Sequence, residues 1–451
     1  MIDQSGSFVA PPPEQQAIRA KAFHPSGSFE EFRREDIEQS IPSRFERIVL
    51  RHPDRIAVKT RKHILSYEAL NETANRIAHA ILRERGETQE CIALLLDDAT
   101  AMIPAMLAVL KTGKFYVPLD PALPPARISE ILQDSQAASL VTDNEKLARV
   151  RDVGHSGLHI VNIEDAARDL STGNIGLSIS PDALALIRYT SGSTGCPKGV
   201  GQDHHGVLHH AMHNANAFHI CPEDRISGGS VQDSSIALLN GAAVYPFAVK
   251  REGLAALAAW LRRQEISIYF SVPSVFRRLI EAAGPNESFS HLRLIAMRGE
   301  PVSKKDVDLY QKHFPPSCIL VNRFGSHETG TIRQYLVDRR TRISGDIVPA
   351  GYPVEDKEVL LLDDAGKEVD LNQIGEIAVR SRYLRLGYWR KPEATRAKFL
   401  PDPKGGEETT YLTGDLGRML PDGCLEYLGR KDLQVKIRGY RVEVVEIETA
   451  L

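Results

Sequence analysis

Ala185-Leu-Ile-Arg-Tyr-Thr190-Ser-Gly-Ser-Thr-Gly195-Cys-Pro-Lys198-Gly-Val200 runs from a short apolar segment straight into glycines and hydroxyls closed by one lysine. Ala185 to Tyr189 has the make-up of a buried strand. Gly192, Gly195 and Gly199 permit positive φ and close backbone approach, so main-chain N–H groups can turn towards phosphate oxygens. Thr190, Ser191, Ser193 and Thr194 add hydroxyl donors, and Lys198 adds a charge. The loop departs from the Walker pattern, which needs Gly-Lys-Ser/Thr, because Lys198 follows Pro197 and precedes Gly199. It contains no GxGxxG run either. So many donor types converging after a strand point to a phosphate grip rather than to a Gly/Ser surface loop.

Strands of the same kind recur on both sides. Ile56 to Lys59 and Cys91 to Leu96 are apolar runs. Between them, Tyr67 to Arg83 carries Leu70, Ala74, Ile77, Ala78 and Ile81 at helical spacing. Met102, Ile103, Met106, Leu107 and Leu110 form a second helical stripe before Gly113. Ala138–Val141, Ile266–Phe270 and Leu292–Ala296 continue the alternation. Strands alternating with helices predict an α/β core of mainly parallel sheets flanked by helices. After about Gly351 the texture changes to closely spaced strands at Glu358–Leu362, Gly375–Val379 and Gly423–Tyr427, which predicts a small β-rich, barrel-like subdomain. The expected organisation is a flexible leader over 1–40, rich in Pro, Ser and Gln, then an α/β core over 41–350. A β-rich subdomain over 351–431 and the start of a further unit over 432–451 follow.

Composition narrows the function. The chain has 451 residues, 42% hydrophobic and 25% charged, more than one hydrophobic core usually supports. A net charge of −3, with acids and bases interspersed, gives no field for nucleic acid or an anionic membrane. The five cysteines are scattered without a CxxC pair, which suits reduced thiols. The N-terminus has no basic segment followed by an apolar one, and runs such as Leu254–Leu261 are far too short to span a bilayer. A cytoplasmic location is expected.

The loop resembles the signature of the adenylate-forming superfamily, in the form seen in nonribosomal peptide synthetase adenylation domains. Further blocks resemble that family in its order: Leu65–Leu70, Leu110–Asp120, Asn322–Thr329, Gly375–Ile377, Tyr411–Leu416 and Gly429–Gly439. The resemblance covers about residue 41 to the end. It implies a carboxylic acid and ATP giving acyl-AMP and pyrophosphate, followed by transfer to the phosphopantetheine thiol of a carrier (thiolation) domain in natural-product biosynthesis. It assigns Thr190, Ser191, Gly192, Ser193, Thr194, Gly195 and Lys198 to the nucleotide. It also assigns Asn322, Arg323, Phe324, Gly325, Ser326, His327 and Glu328 of the Asn322–Thr329 block. Phe324 would offer its face to adenine and Asn322 its amide to the purine edge. Gly299 and Glu300 would lie by the purine, Asp415 at the ribose hydroxyls, Arg430 near ribose and phosphate, and Asp432 at the interdomain hinge. Glu328, with Thr190, would hold magnesium, which neutralises crowded phosphate charge. Thr190, Lys198 and Glu328 are the expected catalytic groups. No residue need act as nucleophile, because the substrate carboxylate attacks.

Two departures from the family matter. Its C-terminal subdomain is represented only by its first residues, so the lysine that bridges carboxylate and α-phosphate has no candidate and poor adenylation by this piece is expected. The second concerns the acid. The family's amino-acid-activating members place an Asp upstream of a Leu-Leu-x-Gly turn to pair with the substrate ammonium. Counted back from Leu238-Leu-Asn-Gly241, that position is Gly228, and Asp233 lies too close to the turn to replace it. An unpaired buried ammonium is costly, so an acid without an α-amine is expected: keto, hydroxy, aryl or fatty. Aligned by resemblance, the pocket reads Gly228, Gly229, Gln232, Phe270, Ala296, Arg298, Arg323, Thr331 and Ile332, with His204 following the phosphate loop. Arg298 and Arg323 either bind an extra oxyanion on the substrate or have a plainer use, pairing with Asp233, Glu300 or Glu328 or simply narrowing the pocket.

His205, His209 and His213 fall at i, i+4 and i+8 on one helix, a spacing that could hold a metal but that suits a structural helix better. A loading module or stand-alone activator is the expected setting. The rival functions are an acyl-CoA ligase of the same superfamily and a degenerate nucleotide-binding module.

Overall fold

The computed structural model describes residues 11–153, 157–166, 170–190, 197–229, 231–284, 288–403, 405–431, 434–437 and 440–443. Two sheets carry the α/β part. The nine-stranded sheet runs, edge to edge, Tyr352–Pro353, Gly330–Val337, Ile319–Ser326, Leu294–Met297, Ile268–Ser271, Arg225–Ser227, Ala243–Val244, Ile56–Lys59 and Ile64–Ser66. The six-stranded sheet runs His159–Asn162, Ser139–Thr142, Cys91–Leu95, Phe115–Pro118, Leu184–Thr190 and Lys198–Asp203. Their central pairings are parallel.

Parallel strands need cover on both faces, and the sequence supplies it residue by residue. Ile268 and Phe270 enter one apolar cluster and Tyr269 another; Leu294 and Ala296 repeat the first direction, Ile295 and Met297 the second. The larger cluster joins strands of both sheets through the helices Ile41–Arg51, Tyr67–Arg85, Ala99–Lys111 and His204–Phe218 between them. Local signals fix these helices. The Ser66 hydroxyl caps Tyr67–Arg85 by accepting from the Ala69 N–H, and Gly86 at φ 60° ends it. Residues 358–430 form a five-stranded antiparallel sheet with its own core around Val359, Ile377, Val379 and Leu425. No helix among the described residues is long and apolar enough to cross a membrane.

The N-terminal segment differs from the expected flexible leader. From residue 11 it packs on the core, burying Ile18, Ala22, Phe32 and Ile37. The Gln15 amide acts as a surrogate strand neighbour: it donates to the Leu336 carbonyl at 2.9 Å and accepts from the Leu336 N–H at 2.8 Å. Phe32 lies under the Arg44 guanidinium, 3.7 Å from its ring centroid. Polar anchors at irregular spacing carry this contact, which is why no apolar period marks it.

Arg293 ties the segment to the sheet. Its Nε and Nη2 donate to the two Asp224 oxygens at 2.9 and 2.6 Å, and its Nη1 donates to the carbonyls of Phe218 and Ala22. Burial works to raise the Asp224 carboxyl, but the Arg293 charge and hydrogen bonds outweigh it and hold the pKa below the usual range. Removing one partner strands the other charge in the core. Arg293→Ala is expected to lower stability by about 3–5 kcal/mol, read as a shift of the chemical-denaturation midpoint; a loss below about 1 kcal/mol would contradict a coupled buried pair.

Candidate active site

Parallel strands leave their ligands at the carboxyl ends, where loops rather than side chains close the sheet. Here Gly228 follows Arg225–Ser227, Val272 follows Ile268–Ser271, and Arg298 and Gly299 follow Leu294–Met297. With Gly325, Ser326 and His327 they open a cavity of about 840 Å³. Arg188 enters from the six-stranded sheet, and Thr413, Asp415 and Arg430 from the small antiparallel sheet. Three sheets therefore meet around one space, sized for a small-molecule ligand.

Backbone geometry explains why one wall lacks a side chain. Gly228 has φ +100°, and a Cβ there would stand 2.0 Å from the Phe270 carbonyl oxygen. Gly229 has φ +86°, and its Cβ would fall 1.8 Å from Asp233 Oδ2. The Asp233 carboxylate thus occupies the room beside Gly229, buried, and accepts from Arg298 Nη2 at 2.9 Å. For Arg298, of the two readings open in the sequence, the structure shows the pairing with Asp233.

Arg323 is placed differently. Only 3% exposed, it donates through Nη2 to Thr331 Oγ1 at 3.0 Å and lies 5.4 and 5.8 Å from the ring centroids of Phe270 and Phe218. Its Nε and Nη1 are buried, with no acceptor among the described residues. Burial brings its pKa down to about 9, helped by Arg298 and opposed by Asp233. Arg188 and Arg385 line the same cavity, and burial first, then neighbouring arginines, lower them to about 10 and about 9. All three remain cations at neutral pH. His210, also in the wall, is pushed well below its ordinary value by burial and then by Arg323, Arg385 and Arg298, and stays neutral. Arg188, Arg385 and His210 carried no functional reading in the sequence. Arg188 sits in an apolar strand, and nothing in its spacing shows that the strand ends at a cavity.

The phosphate-side residues gather around Tyr388. Thr190 pairs with Lys198 across the two strands that flank the loop, and its hydroxyl reaches the Lys198 carbonyl at 3.4 Å. The Lys198 ammonium lies 5.9 Å from the Tyr388 ring centroid, and the Tyr388 hydroxyl donates to Glu328 Oε1 at 3.4 Å. Lys391 Nζ donates to the Pro197 carbonyl, and the Trp389 N–H to the Gly199 carbonyl at 2.7 Å, fixing the strand after the loop. Asp415 and Arg430 form a 2.9 Å ion pair in the cavity wall, opposite each other in adjacent strands.

Other expected site residues are not in the lining of this cavity. His204 does not line the cavity: it is fully buried, its Nδ1 accepting from the Ile41 N–H at 3.1 Å. Strand alternation separates the residues of Ile319–Ser326. Arg323 and Gly325 line the cavity, whereas the Asn322 amide donates to the Pro349 carbonyl at 2.8 Å and Phe324 packs 5.3 Å from the Tyr427 centroid. Glu300 accepts from the Ser274 N–H and hydroxyl at 2.9 and 2.8 Å, anchoring a helix start. Ala296 and Ile332 are buried in apolar clusters. Ser191 to Gly195, Asp432 and the Gln232 side chain fall outside the described residues. His209 is held by Tyr383, stacked at 3.9 Å, and by Asp356, and His205 reaches Glu38 at 3.0 Å.

Comparison with known proteins fits this geometry. The family described as AMP-binding enzyme matches residues 45–389. Tyrocidine synthase 1 of Brevibacillus parabrevis is 32% identical over 421 residues, 92% of this chain and 38% of its own length. Surfactin synthase subunit 2 of Bacillus subtilis is 36% identical over 419 residues, 90% of this chain and 11% of its own. The chain thus spans well under half of these relatives. Among solved structures, the nonribosomal peptide synthetase FmoA3 in its α-methyl-L-serine-AMP-bound form superposes with a TM-score of 0.82 at 27% identity, over 94% of this chain and 47% of that one. An artificially fused adenylation–PCP di-domain from Klebsiella oxytoca shares the fold, with a TM-score of 0.81 at 23% identity over 91% of this chain and 83% of that one.

The Gly228 geometry is testable. Gly228→Asp forces a side chain into positive φ against the Phe270 carbonyl, so a loss of roughly 2–4 kcal/mol is expected in thermal melting, with no gain in affinity for α-amino acids. A variant of native stability that binds an amino acid would contradict the placement.

Proposed function

This chain belongs to the AMP-binding enzyme family, and on that footing we propose that it activates a carboxylic acid lacking an α-amine as its acyl-adenylate. A carboxylate oxygen of the acid attacks the α-phosphorus of ATP, the α–β phosphoanhydride bond breaks, and pyrophosphate leaves with the bonding electrons. The observation that carries this reading is the cavity in which the candidate nucleotide residues Asp415 and Arg430 share walls with Gly228, Phe270 and Arg323. Both reactants then lie in one space, and alignment replaces a protein nucleophile.

The chain's own groups divide the work. Lys198 and the backbone and hydroxyls of the Thr190–Lys198 loop take the phosphates, and Asp415 accepts from the ribose hydroxyls while Arg430 holds its orientation. Among the described residues no cluster of three His, Cys, Asp or Glu gathers. Glu328 offers one buried carboxylate beside Tyr388, a hard oxygen donor that would hold a magnesium ion. Bound there with Thr190, the ion would offset charge on the phosphates. Arg385, which donates to the His327 carbonyl at 3.1 Å, positions the segment that carries Glu328.

Three features support an acid without an α-amine. Gly228 has no room for a carboxylate. Asp233, the nearby acid, is engaged by Arg298. The guanidiniums of Arg188, Arg298 and Arg323 would repel an ammonium. The acyl group then passes to the phosphopantetheine thiol of a carrier domain. In the artificially fused Klebsiella oxytoca protein of the same fold an adenylation domain is joined to a PCP domain, the kind of partner this step needs.

Single-turnover incubation with ATP, magnesium and a panel of acids, read by mass spectrometry for acyl-AMP, tests the reading. Amine-free acids are expected to yield acyl-AMP, with Glu328→Gln about 100-fold slower. Adenylates formed from α-amino acids alone would refute the substrate class.

A further inference from the structure

The acid end of the cavity holds more positive charge than the fold neutralises. Arg188, Arg298 and Arg323 all line it. Among the described residues, Asp233 is the one carboxylate that acts on Arg188 and Arg323, and it is already in ion-pair contact with Arg298. The other acids of the wall are engaged elsewhere. Asp415 pairs with Arg430, while Asp97 and Asp120, at the mouth, lie 3.7 and 3.9 Å from Lys146 and Lys250.

Guanidinium does not escape this by losing its proton at neutral pH, because burial brings Arg188 and Arg323 down only to about 10 and about 9. Arg323 lines the cavity while its Nη2 donates to Thr331 Oγ1 at 3.0 Å; among the described residues its Nε and Nη1, which have no surface open to the cavity, meet no acceptor, so its charge is left to be offset from the cavity side. The rings of Phe218 and Phe270 flank it and satisfy no N–H. The reacting carboxylate is not the missing partner, since it must reach the α-phosphorus beside Lys198 and Glu328. An apolar substrate tail would leave the arginine charge sealed and uncompensated.

We infer that the acid this site takes carries a second carboxylate, at the end remote from the reacting one, and that Arg188 and Arg323, with Arg298 held in place by Asp233, receive it. This rests on the amine-free reading above and narrows it to dicarboxylic acids. Planar guanidinium matches carboxylate in a forked arrangement, so the site selects for geometry as well as charge.

Calorimetric titration at saturating AMP tests the inference, with succinate, glutarate and adipate each paired with the monocarboxylate of equal length, and with glutamate as the amine-bearing control. At least one dicarboxylate is expected to bind about 10- to 100-fold more tightly than its partner. In Arg323→Gln and in Arg188→Gln that ratio falls towards unity, and the monocarboxylate reports whether each variant still forms the site. Equal or tighter binding of every monocarboxylate overturns the inference, as does no binding of any dicarboxylate or a ratio that survives both substitutions. Binding of glutamate in preference to glutarate would instead overturn the amine-free reading beneath it.

Discussion

Positive charge gathered on arginines around one cavity is the constraint on which this site turns. Arg188, Arg323 and Arg385 are lowered by burial only to about 10, 9 and 9, so the cavity stays cationic at neutral pH. At the acid end, where Arg188, Arg298 and Arg323 line the cavity, Asp233 is the one carboxylate among the described residues that pairs with Arg298 and acts on the other two. A fold that collects such charge without matching it inside the protein is arranged for anionic occupants. A nucleotide triphosphate and a carboxylate are two such occupants, and they are also the two reactants of an adenylation. Their mutual repulsion is the barrier such an enzyme has to lower, and fixed cations lower it without moving at the moment of reaction.

The backbone makes this arrangement possible. Parallel strands of the nine-stranded sheet end together, and their following residues, Gly228, Val272, Arg298 and Gly299, open the cavity. Positive φ at Gly228 and Gly229 turns the chain so that Asp233 folds back into the space beside them. The proposed preference for an acid without an α-amine rests on that turn. No side chain fits at Gly228, and the nearby carboxylate is committed to Arg298.

Regular elements were legible where one face or two faces of a segment are apolar. Tyr67–Arg85 shows the helical stripe and the Ser66 cap in sequence, and Ile268–Ser271 and Leu294–Met297 show the unbroken apolar run of a strand covered on both sides. The phosphate loop was legible because glycines, hydroxyls and a lysine leave few other uses for that composition. What sequence could not show was the direction of side chains at strand ends. The resemblance placed Asn322, Phe324 and His204 at the ligand, whereas alternation along Ile319–Ser326 turns Arg323 and Gly325 to the cavity and the Ile41 N–H occupies His204. Arg188 was hidden inside an apolar strand. The packing of residues 11–40 was hidden because its contacts, such as Gln15 with Leu336, join residues 321 apart and follow no period.

Binding of a stable acyl-adenylate mimic, an acylsulfamoyl adenosine built on an amine-free acid, tests the central claim most directly. One cavity for nucleotide and acid makes the joined molecule bind about 100-fold or more tightly than AMP alone, because linking the two halves removes the cost of bringing them together. Competition with ATP at a single site completes that outcome. An affinity no better than that of AMP, or binding that ATP does not displace, would contradict a shared site and with it the assignment of acid activation to this cavity.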